Sequence, residues 1–313
     1  MSFALIKRIP VEPKVDFLSA RRVFAVFSVA LILGSIAIFL VQGLNFGVDF
    51  RGGILIEART DGPADIAELR SALSSLDVGE VTLQEFGEPT DVLINIQRQE
   101  GGEAEQSAAI ASVKDTLGDV VVEYRRTEFV GPKVGAELKR AGALATLFAL
   151  LAIGTYIWFR FEWQFGVAAL IALAHDVIAT IGFFALTQIE FNLATLAAIL
   201  TIAGYSINDT VVLFDRLREC FRKYKKLPLQ ELLNLGINQT LTRTVLTSVT
   251  TLLALFSLFF FGGEVIRGFS MGLIWGVLIG TYSSIGLAVP LLMIFKVRGA
   301  TAASGEAAAE TAS

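Results

Sequence analysis

FNLATLAAILTIAGYSINDTVVLF, Phe191 to Phe214, is long and apolar enough to cross a bilayer, yet it carries a carboxylate, Asp209. The next such stretch, RTVLTSVTTLLALFSLFFF, opens on Arg243 and runs to Phe261. A charge at bilayer depth is costly unless it is paired, protonated or wetted. Two charges of opposite sign on consecutive membrane helices point to ion handling and transport rather than to soluble chemistry.

Working outward, 54% of the residues are hydrophobic and the mean hydropathy is +0.63, above what a soluble domain carries. Six spans are expected, near 22–42, 141–159, 164–187, 192–214, 243–261 and 268–296, with a bundle over 139–298. The first run is too long for a signal-peptide core and no small-x-small site follows it, so it reads as an anchor. Lys and Arg collect in the arm 1–21 (Lys7, Arg8, Lys14, Arg21, Arg22), at Arg160, between Arg216 and Lys226, and at Lys296 and Arg298. Lys139, Arg140 and Arg267 flank the other side. The positive-inside rule then places both termini in the cytoplasm, with a disordered tail over 299–313.

Residues 43–138 form the sizeable polar segment, which this topology exports. They hold 18 acidic against 8 basic residues. That balance argues against nucleic acid or anionic lipid as this segment's own partner. Strands are expected at Ile54–Arg59, Val81–Phe86, Asp91–Gln97 and Val120–Val130, and helices at Pro63–Leu76 and Glu103–Leu117, with a turn at Gly87-Glu88-Pro89. The order βαββαβ is that of a ferredoxin-like α+β sandwich. The fold class is therefore a polytopic α-helical membrane protein of six transmembrane helices with one exported α+β domain between the first two.

A single cysteine, Cys220, excludes an intrachain disulfide, and a single histidine, His175, excludes a two-His metal site. No Gly-rich phosphate loop precedes a helix and no Ser-His-Asp arrangement is evident. Neither an enzyme nor a bound metal or cofactor is expected.

FGVDFRGG (Phe46 to Gly53), LAHDV in the third span, GYSINDTVVLFDRLRE (Gly204 to Glu219), LTRTVLTSVTT (Leu241 to Thr251) and FGGEVIRGFSMGLIWGVLIGTYSSI together resemble the SecF family, in the same order throughout, over about residues 20 to 298. The resemblance implies one six-span bundle of a twelve-span, proton-driven permease-like pair, the other bundle being SecD. It further implies work at the SecYEG channel of the bacterial inner membrane, with YajC as a further candidate partner. There the family uses the proton gradient to help draw preprotein across at a late stage of export.

Counted from the outer ends of their spans, Asp209 and Arg243 fall at equal depth, roughly 27 Å in, and are expected to meet side by side. Asp209 shares a face with Tyr205 and Ser206, next to Asn208; Arg243 shares one with Thr247 and Thr250. His175 and Asp176 lie near the midplane of the third span and add two titratable groups. An Asp209 that alternates between pairing with Arg243 and protonation would serve as an ion relay, for H⁺ or Na⁺ alike. The simpler alternative is that these charges tie helices together.

Gly268, Gly272, Gly276 and Gly280, continued by Ser284 and Ala288, make a stripe for close helix approach, a sliding surface or a seam to SecD. In FGVDFRGG, Gly47, Gly52 and Gly53 suggest a tight turn, with Asp49 and Arg51 paired to fix the exit angle of the domain. Arg216 to Lys226 reads as an amphipathic basic loop on the lipid headgroups. Two rival classes stay open: a permease-like exporter of a small or lipidic solute, and a passive membrane scaffold.

Overall fold

The computed structural model describes residues 13–76, 78–79, 81–86, 88–99, 102–295 and 297. The expected tail, Lys7, Arg8, Gly87, Lys296 and Arg298 lie outside these residues. In chain order the elements are α1 (Arg21–Gln42), α2 (Val48–Arg51), β1 (Gly53–Thr60), α3 (Ile66–Ser74), β2 (Val81–Phe86), β3 (Glu88–Gln97), α4 (Glu103–Leu117) and β4 (Val121–Val130). Then follow α5 (Pro132–Arg160), α6 (Trp163–Thr187), α7 (Leu193–Lys223), α8 (Leu229–Phe261) and α9 (Gly263–Ser283), which passes through a π turn at Ser284–Ala288 into α10 (Val289–Ile294).

Six helices among the described residues are long and apolar enough to cross a membrane: Leu18–Gln42, Lys133–Arg160, Trp163–Thr187, Leu193–Lys223, Leu229–Phe261 and Ile266–Ile294. The chain is thus a polytopic α-helical membrane protein. α6 is the most enclosed in sequence terms, since Ala168, Ala169, Ala172 and Ala179 let its neighbours close around it. Large apolar side chains such as Phe148 and Phe159 on α5 and Leu253 and Phe260 on α8 stay exposed.

Between the first two spans stands a four-stranded antiparallel sheet in the order β2-β3-β1-β4, which is the ferredoxin-like topology. Ile54 and Ile56 of β1, and Val92, Ile94 and Ile96 of β3, point to one face and pack on Leu69 and Leu73 of α3 and Val113 and Leu117 of α4. α3 starts later than Pro63 because Asp65 caps it, its carboxylate accepting from the backbone N–H groups of Ala67 and Glu68.

Several membrane helices exceed their expected bounds, α5 already beginning at Pro132. α7 continues through Arg216 to Lys223 and α8 begins at Leu229, so the expected basic loop is a helical hairpin joined by residues 224–228. The reason is packing: Leu232, Leu233, Gly236 and Ile237 keep helical spacing, and Gly236 lies so close to Leu217 that a Cβ there would meet Leu217 Cδ2 at 2.3 Å. The same hairpin receives the N-terminal arm. Asn238 bonds both backbone groups of Val15, Asn234 accepts from Leu18 N, and Leu18 is fully buried.

Candidate ion-coupling site

The centre of the bundle holds two carboxylates with opposite surroundings. Asp176 of α6 is 0% exposed. Its Oδ2 accepts from Ser206 Oγ of α7 at 2.5 Å and from Ser283 Oγ of α9 at 2.7 Å, and its Oδ1 lies 2.9 Å from His175 Nδ1. One carboxylate therefore joins three helices. An ionised Asp176 puts the ring proton of His175 on Nδ1, and His175 Nε2 has no hydrogen-bond partner among the described residues.

Asp209 lies one helical turn beyond Ser206 and is 6% exposed. Its Oδ2 likewise has no hydrogen-bond partner among the described residues. The expected side-by-side pair with Arg243 is not formed in this state: no ion pair within 4.0 Å joins them among the described residues. Arg243 projects from the exposed side of α8, though its charge still acts on Asp209. Helix rotation explains this. α8 turns Thr240, Thr244 and Ser248 inward at four-residue spacing, which leaves Arg243, one position before Thr244, about 100° round the helix on an exposed flank.

The expected polar faces are redistributed accordingly. Thr247 Oγ1 bonds back to the carbonyls of Arg243 and Thr244, and Thr250 to that of Leu246, so both hydroxyls are satisfied within their own helix. Tyr205 Oη meets Thr251 Oγ1 at 3.4 Å, and Asn208 is exposed. Further inward hydroxyls pair across helices: Ser248 lies 2.7 Å from Thr281, and Thr210 lies 2.9 Å from Ser284, the stripe residue at the π turn. Thr240, Thr244 and Ser248 do recur at helical spacing, and that was the signal available for them.

The glycine stripe is a packing surface inside the chain. A Cβ on Gly272 would meet Phe184 at 2.6 Å, one on Gly276 would meet Ile202 at 2.2 Å and one on Gly280 would meet Ser206 at 3.0 Å, while Gly268 faces Ile189 and Thr195. α9 therefore lies directly on α7, on the face that carries Ser206.

FGVDFRGG forms a clamp at the end of the bundle that carries the α+β domain. Gly47 N donates to Phe191 O and Phe191 N to Asn45 O, pairing the end of α1 with the α6–α7 connection. Phe50 stacks on Phe191. The expected Asp49–Arg51 pair is replaced: Asp49 Oδ2 accepts from Leu193 N at 2.9 Å, because the first N–H groups of α7 lack helical partners, and Arg51 is exposed. Gly52 at φ 78° and Gly53 at φ 152° then turn the chain into β1, and a Cβ on Gly53 would lie 2.5 Å from Ile96 O.

In the α+β domain the sheet register sets Arg59 opposite Asp91, and Arg125 reaches the same carboxylate from β4. The hydrogen bond from Arg59, then the charge of Arg125, hold the Asp91 carboxyl below its ordinary range. No group of three or more His, Cys, Asp or Glu converges as a metal site among the described residues.

Comparison with known proteins places this arrangement. Residues 110–298 match the family model described as "Protein export membrane protein SecD/SecF, C-terminal", and residues 37–64, which hold the Gly52-Gly53 turn, match the "SecD/SecF GG Motif". The chain is 46% identical over 295 residues to protein translocase subunit SecF of Rickettsia rickettsii, covering 93% of this chain and 94% of that one. The chain belongs to the SecF family. A Rickettsia bellii SecF is 47% identical, covering 93% of this chain and 96% of that one. Among solved structures, the SecDF crystal structure from Thermus thermophilus aligns with TM-score 0.77 at 34% identity over 92% of this chain, and a SecDF structure in a super-membrane-facing form with 0.71 at 33% over 94%. The chain spans 39% and 40% of those longer SecDF chains. As a SecF-family chain it is a protein translocase subunit.

Proposed function

We propose that this chain pairs with SecD in the bacterial inner membrane and couples the proton gradient to a late stage of preprotein export through SecYEG. The α+β domain lies on the outer side and both termini in the cytoplasm. Asp209 is the titrating carboxylate and Arg243 its alternating countercharge, with His175 and Asp176 holding the relay's helices in place. The observation that carries this reading is the buried Oδ2 of Asp209, which has no hydrogen-bond partner among the described residues. An unpaired carboxylate at that depth favours taking up a proton or a cation. Arg243, exposed on a membrane helix, favours an outside partner that covers it, and SecD fits that need.

Moving one charge through the potential supplies about 2.3 kcal/mol per 100 mV, about fiftyfold in a two-state packing equilibrium. The test is late-stage export of a reporter preprotein into inverted vesicles containing this chain with SecD, at constant ATP, with the gradient intact or collapsed. Asp209→Asn is expected to assemble yet lose the gradient-dependent gain. If the gain survives in the variant, Asp209 only holds helices together. Should a sodium gradient alone drive the step, the coupling ion is Na⁺ and the proton assignment fails.

A further inference from the structure

A cavity of about 460 Å³ opens between α1 and α5 at the end of the bundle that carries the α+β domain. α1 leans on α6, where Ser35 meets Gly182, and α5 approaches α7, where Gly142 meets Leu196, so neither closes the gap facing the other. Phe39 and Ala143 form its walls, Ile178 and Ile199 its floor, and Phe46 and Phe50 of the clamp its roof. At its edge is one cation, Lys139, whose ammonium lies 3.8 Å from the centre of the Phe46 ring and is exposed.

We propose that this cavity holds an acyl chain of an anionic phospholipid from the surrounding bilayer, with the lipid phosphate on Lys139. The walls offer water too few partners, and a void of this size left empty forfeits contacts on every side. A partner helix does not fit: a cylinder about 10 Å across takes on the order of 100 Å³ per residue, so the space holds about one turn. A slim hydrocarbon chain does. Depth agrees as well. Counting about 20 residues of α5 back from Arg160 as the hydrocarbon crossing leaves Lys139 at headgroup level. Lys133 and Arg140 stand on the same helix end, with Glu137 as the one opposing charge there. Since Phe46 and Phe50 roof the cavity, the lipid would prop the clamp from below.

The full-length chain, purified in nonionic detergent, is titrated with phosphatidylglycerol or phosphatidylcholine of identical acyl chains and weighed intact by native mass spectrometry. The expected result is one retained lipid per chain, with phosphatidylglycerol favoured about fivefold. Lys139→Gln is expected to abolish that preference and keep the acyl occupant. Ala143→Phe, which fills the cavity, is expected to lose both lipids. Thr146→Phe repeats the test from the next turn of α5, and a thermal melt beside each variant establishes that it folds. Equal retention of the two lipids, or unchanged retention in two folded cavity-filling variants, overturns the proposal. So does loss of the lipid when SecD is co-purified, which would assign the space to the partner subunit.

Discussion

Asp176 and Asp209 sit on adjacent helices, and among the described residues the bundle gives the first a set of donors and leaves an oxygen of the second without one. On the proposed function, that contrast sets Asp209 as the titrating carboxylate and Asp176 as the one that ties helices together. Removing Asp176 takes the acceptor from the buried Ser206 hydroxyl and the buried His175 imidazole, while Ser283 keeps Gly280 O, so Asp176→Ala is expected to lower stability by about 2–4 kcal/mol, read by denaturant unfolding in micelles. Asp91 makes a different prediction. Its folded-state pKa is depressed, so its stabilisation is present above the unfolded value of about 4 and is lost as pH falls through the lower folded value. Amide exchange of β1 and β3, normalised to intrinsic rates, should therefore lose protection below about pH 4 in the native chain. In Asp91→Asn protection should be weaker at neutral pH and flat across that range. Asp209, Arg243, His175 and Asp176 were legible as residues because charges inside apolar runs stand out. Asp91 was not, because its partners are chosen by sheet register, and neither Arg59 nor Arg125 is near it in the chain.

Between α7 and α9 the four-residue glycine spacing lets the side chains of Ile202 and Ser206 pack directly on the α9 backbone. Gly276→Val is expected to cost about 1–3 kcal/mol by overpacking, and Ile202→Ala on the facing helix to recover part of it; equal stability of native and variant chains would show that the stripe faces elsewhere. The spans themselves were readable from length and hydropathy, and the strand and helix order of the α+β domain from its periodicities. What periodicity did not carry was the extension of α8 toward Leu229, where Asn, Gln and Gly interrupt the apolar run. Those polar residues are where the arm docks. Asn238→Ala should release Val15, costing about 1–3 kcal/mol and speeding tryptic cleavage after Lys14, compared with the native chain under identical digestion.

Across the whole molecule the α+β domain is held by more than its two covalent tethers. Asp49 binds the first turn of α7, Phe46 and Phe191 bridge α1 to the α6–α7 connection, and Gly135 of α5 packs on the backbone of Phe50 and Gly52. Asp49→Ala is expected to broaden the spin-label distance distribution between β4 and the start of α9; an unchanged distribution would mean that the aromatic contacts alone hold the domain. This attachment could not be read from the sequence, since Asp49 and Leu193 are 144 positions apart. The three-helix node at Asp176 has a similar span, and it bears on how the chain is made. Ser206 follows Asp176 by 30 residues and Ser283 by 107. At synthesis rates of about 5–20 residues per second, α6 waits about 5–20 s for its last donor to be synthesised. Until then the node lacks one of its two hydroxyl donors, so the site is completed only when the sixth span has been made.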